Sequence, residues 1–113
     1  MAATYVSNII INSGSDFSQT YDLESSDTNS PLNLTGYAIS SQMRKYSGSS
    51  TAVSFATTAI QPPSSGSIKI SLTSEQTTDL KPGRYVYDVL LTKDGVKTKV
   101  IEGMVLVKEG VTR

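Results

Sequence analysis

The segment "DLKPGRYVYDV" (Asp79–Val89) carries the most specific fold information in the chain. In it, Pro82 and Gly83 stand directly before an alternating run that places Tyr85 and Tyr87 on the same face. Proline and glycine set tight turns, and alternation with a period of two residues is typical of a half-buried strand. The segment therefore predicts a sharp corner followed by a strand whose buried face carries two tyrosines.

The residues on either side of this segment extend the prediction. Upstream, Thr73 is a good helix N-cap residue, and Gln76 stands three positions later, as in a capping box. Downstream, the strand from Arg84 leads to "KDG" (Lys93–Gly95), a strong hairpin signal, and then to a final strand. We expect one short helical turn near residues 73–79 and a hairpin of two long strands.

Alternation with a period of two recurs along the rest of the chain, whereas helical periodicity is nearly absent. The further alternating stretches are Tyr5–Asn12, Phe17–Leu23, Gly36–Lys45, Thr51–Ile60 and Ser67–Leu72. Turn signals separate them at intervals typical of a sandwich or barrel. We predict an all-β, immunoglobulin-like antiparallel β-sandwich of seven or eight strands, formed by residues 1–113 as a single domain.

The corner at Gly83 matches the E–F corner of an immunoglobulin-type sandwich, where a tyrosine near the start of strand F bonds to the preceding backbone. Tyr85 is predicted to be that tyrosine, and Tyr87 to take the core position of the second cysteine in antibody domains. Leu80 is predicted to close the end of the sandwich beneath the corner. The alternative is that both tyrosines are ordinary strand residues, because tyrosine is favoured on pleated surfaces. On either interpretation these residues are structural.

Gly103 interrupts the final strand within "VIEGMVLV" (Val100–Val107). A glycine inside a strand often marks a bulge or a close backbone approach. We expect a bulge there, with Val100 and Met104 breaking the strict alternation. The alternative is a glycine that the strand merely tolerates.

Composition excludes several classes of function. The chain of 113 residues has no cysteine and no histidine, and its ten basic residues balance its ten acidic residues. Disulfides, thiolate metal sites and the common catalytic triads are therefore absent, and no electrostatic footprint for nucleic acid or an anionic membrane is present. We expect a protein that is not an enzyme and has no catalytic residue.

Metal ions, cofactors and membranes are not expected either. The acidic residues Asp16, Asp22, Glu24 and Asp27 do not have the spacing of a calcium loop, and a solvated acidic edge explains them. The N-terminal sequence lacks the basic start and apolar run of a signal peptide. No stretch approaches the roughly 20 apolar residues of a membrane helix. No small-molecule ligand is expected, with one alternative: exposed tyrosines at Tyr5, Tyr37 and Tyr46 could form a coplanar platform for a host surface glycan.

Three stretches resemble the small immunoglobulin-like domains of tailed-phage virion proteins. They are "LNLTGYAISSQMRK" (Leu32–Lys45), "GSIKISLTSEQTTDLKPGRYVYDVLLT" (Gly66–Thr92) and "KVIEGMVLVKEGVTR" (Lys99–Arg113). The resemblance is to the N-terminal domain of phage baseplate upper proteins and to short structural proteins of marine and cyanobacterial phages. Residues that match the family's corner and closing strand are Thr77, Leu80, Gly83, Tyr85, Tyr87, Asp88, Glu102, Gly103, Val105 and Val107.

The resemblance implies a non-enzymatic building block of a virus particle, either a tail or baseplate component or a capsid decoration. It implies a location in the virion after synthesis in the host cytoplasm, partners among other phage virion proteins, and oligomers only within the particle. This chain ends where baseplate upper proteins continue into further domains, so head and tail locations both stay open. The chain ends and one loop are the expected partner contacts, namely Tyr5, Tyr46, Lys108, Glu109, Val111 and Arg113.

Overall fold

A computed structural model describes residues 5–24, 30–46, 48–50 and 52–111. The structure is all-β, which confirms the predicted fold class. Within the described residues it has nine strand segments, one short α-helix and one 3₁₀ turn. Their bounds are β1 (Tyr5–Val6), β2 (Ile9–Asn12), β3 (Phe17–Asp22), β4 (Ala38–Arg44), β5 (Ala52–Ser54), β6 (Ala56–Ala59), the 3₁₀ turn (Pro63–Ser65), β7 (Ser67–Leu72), α1 (Ser74–Thr78), β8 (Gly83–Lys93) and β9 (Val96–Lys108).

The strands form two sheets packed as a sandwich. In the large sheet, β1 and β2 lie on one side of β9, followed by β8, β4 and β5, and the small sheet has the order β3, β7, β6. β1 and β2 are halves of one interrupted strand. β5 continues into β6 through the buried Phe55, where the chain passes from the large sheet to the small one. Counted in this way, the described segments make seven strands.

The core consists of the inward-facing residues of the alternating strands. Its members include Ile9, Ile11, Met43, Phe55, Ile68, Ile70, Leu72, Tyr87, Val89, Leu91, Ile101, Val105 and Val107. Each fully buried aliphatic side chain stabilises the fold by about 1.5–3 kcal/mol relative to an exposed one. The period-two pattern of the sequence therefore selects this packing, because a one-residue slip of an alternating strand would expose its apolar set.

The N-terminal strand is the exception to the antiparallel arrangement. β2 runs parallel to β9, with Ile9–Asn12 opposite Val105–Lys108. Between β1 and β2 the ladder is interrupted, and the side chain of Asn8 accepts a hydrogen bond from the backbone N–H of Met104 at 3.0 Å. A side chain thus replaces a backbone acceptor at the interruption.

The last strand contains a bulge, but the prediction that it lies at Gly103 is wrong. The ladder between β8 and β9 slips between Val89 and Leu90, which leaves Val100 as the extra residue. Val100 and the residue after it are both buried, so alternation does break at Val100. Met104 keeps the regular alternation and is exposed, contrary to the expectation for that residue.

Gly103 allows the backbone of the N-terminal strand to lie close to the backbone of β9. A Cβ atom at this position would lie 2.0 Å from the carbonyl oxygen of Ser7. The same carbonyl oxygen accepts a hydrogen bond from the Tyr87 hydroxyl at 2.6 Å. The N-terminal strand therefore passes β9 at a point where no side chain fits.

The short helix packs against the turn between β2 and β3, which lies near the start of the chain. α1 begins with the predicted capping box between Thr73 and Gln76. The buried hydroxyl of Thr77 donates to the carbonyl of Ser15 at 2.8 Å and accepts from the N–H of Gly14 at 3.1 Å. This side chain therefore links the turn between β2 and β3 to the helix, beside the hydrogen bonds of Ser13 to the Thr77 carbonyl and of the Ser74 N–H to Asp16.

We expect Thr77→Val to lower the free energy of unfolding by about 1–3 kcal/mol, because it keeps the shape of a buried side chain and removes the hydroxyl that pairs with the Gly14 N–H and the Ser15 carbonyl. Denaturant unfolding measures the loss. Thr78→Val is the matched control, because the exposed Thr78 hydroxyl bonds only within the helix, and its expected change is within about 0.5 kcal/mol. Equal effects of the two substitutions would contradict the anchoring role of Thr77.

Candidate functional site

The predicted corner residues lie together at one end of the sandwich. The Tyr85 hydroxyl donates a 2.7 Å hydrogen bond to the carbonyl of Lys81, four residues upstream, which is the geometry of a tyrosine corner. The ammonium of Lys45 lies 4.9 Å from the centroid of the Tyr85 ring. Leu80 is buried beneath the corner, and Gly83 adopts a φ of 140°, which other residues rarely adopt.

Tyr87 is the centre of a hydrogen-bond chain through the core. Its hydroxyl donates to the carbonyl of Ser7, so the Tyr21 hydroxyl, 2.7 Å away, donates to Tyr87. Tyr21 lies on β3 of the small sheet and Tyr87 on β8 of the large sheet. Antibody domains carry their inter-sheet disulfide between the corresponding strands B and F. In this chain without cysteine, a pair of tyrosine hydroxyls makes that connection.

Burial, and after it the hydrogen bond with Tyr21, raise the pKa of the Tyr87 hydroxyl well above its ordinary value. A pKa that is raised in the folded state means that the native protein holds this proton more tightly than the unfolded chain does. Its contribution is fully present below about pH 10, where the unfolded tyrosine titrates, and is lost as the pH rises further.

We therefore expect the stability difference between wild type and Tyr87→Phe to be constant below about pH 10 and to shrink above it, by up to about 1.4 kcal/mol per pH unit. Denaturant unfolding of both proteins across this pH range measures it. Taking the difference removes the effects of pH that the two proteins share. A difference that stays constant through the alkaline range would contradict the buried hydroxyl chain.

The solvent-facing side of the large sheet, here the outer face, carries an exposed apolar band. The band consists of Val6, Ile10, Met104 and Leu106, with exposed fractions of 76%, 54%, 45% and 39%. Ile10 lies directly opposite Leu106 in the ladder. Met104 precedes Leu106 by two residues on the same strand face and lies opposite the half-buried Val86. Ile10, Leu106 and Met104 are therefore neighbours, whereas Val6 stands opposite Glu102. An exposed apolar surface of this kind often marks a contact site.

Charged side chains of both signs surround the band. Arg84 lies opposite Leu106, and Arg44 lies opposite Val86. Asp88 and Glu102 stand opposite one another on the outer face, two residues along their strands from Val86 and Met104. A central apolar strip with a charged rim is the usual anatomy of a protein interface.

A depression of about 880 Å³ lies on this face. Its lining includes Asn8, Gln42, Arg44, Tyr46 and Met104. The depression combines amide and charged groups with the exposed aromatic ring of Tyr46, which is 64% accessible. It can accept either an apolar side chain of a partner or a polar group that bonds to amides.

The predicted partner contacts do not form one surface. They are Tyr5, Tyr46, Lys108, Glu109, Val111 and Arg113, of which Arg113 lies outside the described residues. Tyr5 stands opposite Ile101, and Lys108 lies seven residues farther along β9, which is about 23 Å in a strand. Tyr46 lines the depression, Lys108 is exposed at the end of β9, and Val111 is exposed three residues beyond that end. The structure therefore separates Tyr5 from the predicted contacts that follow β9.

The three tyrosines proposed for sugar binding also lie apart. Tyr37 precedes β4 and Tyr46 follows it, so the seven-residue strand, about 23 Å long, separates them. Tyr37 is half-buried, and the ammonium of Lys93 lies 5.2 Å from its ring centroid. Tyr5 lies on β1, three strands away from β4 in the sheet order. These residues form no coplanar platform.

Two stretches of the sequence carry a signal for the apolar band. A strand with one solvated face alternates apolar and polar residues. The stretches "III" (Ile9–Ile11) and "MVLV" (Met104–Val107) are apolar at every position. Apolar residues on both faces of a strand indicate that both faces are covered. Among the described residues, only the inner face of these two strands is covered.

Metal and membrane chemistry gain no support from the part of the chain that the structure describes. Among those residues, no three acidic, cysteine or histidine side chains come together in a group that could hold a metal ion. Asp27, one of the four acidic residues considered above, lies outside them. No helix within them has the length and apolar character to cross a membrane.

Comparisons with known proteins give a likeness of fold. No protein-family model and no curated protein sequence matches the chain. InlP of Listeria monocytogenes matches 90% of this chain with a TM-score of 0.55 and 18% identity. A family 123 glycoside hydrolase from Clostridium perfringens matches 96% of it with a TM-score of 0.43 and 14% identity. The chain spans 26% and 24% of those two proteins, respectively. At these identities the match to InlP shows a shared fold and assigns no function to this chain.

Proposed function

We propose that this chain is a non-enzymatic assembly protein that works through protein–protein contacts on the outer face of its large sheet. The observation that supports the proposal most directly is the apolar band of Val6, Ile10, Met104 and Leu106. Ordering water over such a surface is unfavourable, so a partner that covers it gains free energy. Ile10, Met104 and Leu106 lie on the paired strands β2 and β9, which keep their relative positions fixed before binding.

The charges at the rim of the band indicate which surface a partner should present. Arg44 and Arg84 lie beside the band, so the partner surface should be apolar at its centre and acidic opposite these two side chains. The resemblance to immunoglobulin-like phage domains makes a tailed-phage virion the proposed setting, in the tail, the baseplate or the capsid decoration. The partner would then be another virion protein.

The test of this function uses phage particles that lack the protein. Purified protein is mixed with such particles, and bound copies are counted after sedimentation. We expect saturable binding at a fixed copy number, reduced more than about 10-fold by Met104→Glu combined with Leu106→Glu, because buried hot-spot contacts contribute about 2 kcal/mol or more.

Val96→Glu is the matched control for that experiment. Val96 is also an exposed apolar residue, but it lies at the β8–β9 hairpin, away from the band. We expect it to leave binding unchanged. Normal binding by the Met104 and Leu106 variant would overturn the role of the outer face, and no binding by the wild type would overturn the virion role.

A second candidate function is a carbohydrate-binding module for a host surface glycan. One observation favours it: the exposed Tyr46 ring stands at a depression lined by Asn8 and Gln42, whose amides can bond to sugar hydroxyls. Glycan-array binding that Tyr46→Ala abolishes would support this function over assembly. Absence of any glycan signal would remove it.

A further inference from the structure

We propose that the free edge of β3 pairs antiparallel with the same edge of a second copy, so that two small sheets join into one six-stranded sheet. β3 belongs to the small sheet, and the apolar band belongs to the large one. The inference is therefore independent of the function proposed for the outer face. It differs from the expectation that oligomers form only within a particle.

Every second residue of β3 points its backbone N–H and C=O groups toward the free edge. The N–H of Leu23 bonds to the carbonyl of Gly66 at 2.8 Å, on the side of β7. Neighbouring residues of an antiparallel strand point their N–H and C=O groups to opposite sides. The backbone N–H and C=O groups therefore point toward β7 at Phe17, Gln19 and Tyr21, as they do at Leu23.

The intervening residues Ser18, Thr20 and Asp22 point their N–H and C=O groups away from β7. No described strand pairs with that side of β3. The side-chain amide of Gln19 donates to the Thr20 carbonyl at 3.4 Å, which places this carbonyl outside the ladder to β7. Within the described residues, this edge thus presents a regular row of backbone donors and acceptors.

β3 lacks several of the features that protect an edge strand from pairing, and its one charged residue is the terminal Asp22. Its six residues pair with β7 without a register shift, and they include no proline and no lysine. The other described edges are less suitable: β5 has three residues, β6 has four, and the β1–β2 edge is interrupted at Ser7 and Asn8. Phe17 and Tyr21 are half-buried beside the free edge, so an added strand would cover them.

The side chains of the edge fit a second copy. In an antiparallel pair centred on Thr20, Thr20 stands opposite Thr20 of the second copy, and Ser18 stands opposite Asp22 of the second copy. Threonine pairs and hydroxyl–carboxylate pairs are favourable cross-strand neighbours. A two-fold axis uses the same edge twice and closes the assembly as a dimer.

The first test is the solution mass by light scattering over a concentration series. We expect a species of twice the 12.1 kDa chain mass. Thr20→Glu should weaken the dimer at least about 10-fold, because it places two carboxylates face to face at the axis. In the monomer this Glu would stand opposite Lys69, an attractive partner, so folding should be intact.

Thr58→Glu is the matched control for the edge. Thr58 is exposed on the other side of the same Lys69, on β6. It should leave the dimer unchanged. An equal mixture of Thr20→Glu and Thr20→Lys should recover the dimer, because opposite charges then meet at the axis.

Cross-linking gives an independent readout, because the chain contains no cysteine. Thr20→Cys should form a disulfide-linked dimer on mild oxidation, whereas Thr58→Cys should stay monomeric. A wild type that is monomeric at every concentration would overturn the inference. So would a dimer that Thr20→Glu leaves intact, or one that is lost only in the Met104 and Leu106 variant, which would assign self-association to the outer face.

Discussion

Replacing Tyr87 by alanine is expected to lower the free energy of unfolding by about 3–5 kcal/mol, the usual cost of deleting a buried aromatic side chain. Tyr87 is only 4% exposed. Its ring meets the Phe55 ring edge to face, with centroids 6.2 Å apart. The alanine variant removes this packing and also the hydroxyl that links Tyr21 to the Ser7 carbonyl. Denaturant unfolding measures the change.

Tyr87→Phe separates the hydroxyl from the ring. It keeps the packing and leaves the Ser7 carbonyl and the Tyr21 hydroxyl without their shared partner, at an expected cost of about 1–3 kcal/mol. If the alanine variant does not fold, the phenylalanine variant still reports on the hydrogen-bond chain. Tyr46→Ala, at an exposed tyrosine, should change stability by less than about 0.5 kcal/mol. A loss below about 1 kcal/mol for Tyr87→Ala would mean that Tyr87 does not pack in the core.

The second large effect is expected for Gly103→Ala, with a loss of about 3 kcal/mol, at the upper end of ordinary overpacking. The added methyl group would lie 2.0 Å from the carbonyl oxygen and 2.7 Å from the carbonyl carbon of Ser7. Both are backbone atoms, so the N-terminal strand itself must shift. Ser7 also donates its N–H to the Glu102 carbonyl at 2.9 Å, which ties it to β9 at the same point.

Two measurements check this expectation. Denaturant unfolding gives the loss of stability, and hydrogen exchange should show faster exchange of the amides of Ile9–Asn12, because their ladder to β9 is displaced. Gly48→Ala is the matched control: a Cβ there would meet the Tyr46 ring at 3.8 Å, an ordinary contact. Equal stability of the Gly103 and Gly48 variants would contradict the close approach.

Much of the fold could be predicted from the sequence, because its signals are local. The capping box of Thr73 and Gln76 depends on residues three positions apart. The hairpin at Asp94 and Gly95 depends on two residues with positive φ values of 53° and 79°. Buried positions such as Ile68, Ile70 and Leu72 follow from alternation within one strand. Each of these features depends on residues that are close together in the chain, so it can be predicted from the sequence.

The candidate interaction site was harder to predict. The sequence directed attention to chain ends and tyrosines, whereas the apolar band combines Ile10 from the N-terminal strand with Met104 and Leu106 from the last one. Those residues become neighbours only because the first strand pairs parallel with the last. The sequence shows that both faces of these strands are apolar, but no local feature of it determines which face stays exposed.

By itself, the sequence determined an all-β sandwich, its corner at Gly83, its helical turn and its final hairpin. Only the tertiary structure decided that Tyr21 meets Tyr87 between the sheets, that the bulge falls at Val100, and that Gly103 faces the Ser7 carbonyl. Alternation records which side of a strand is apolar, but not which strand lies beside it or across from it. Those neighbours are set by closing the whole core at once, since burial is optimised over all strands together.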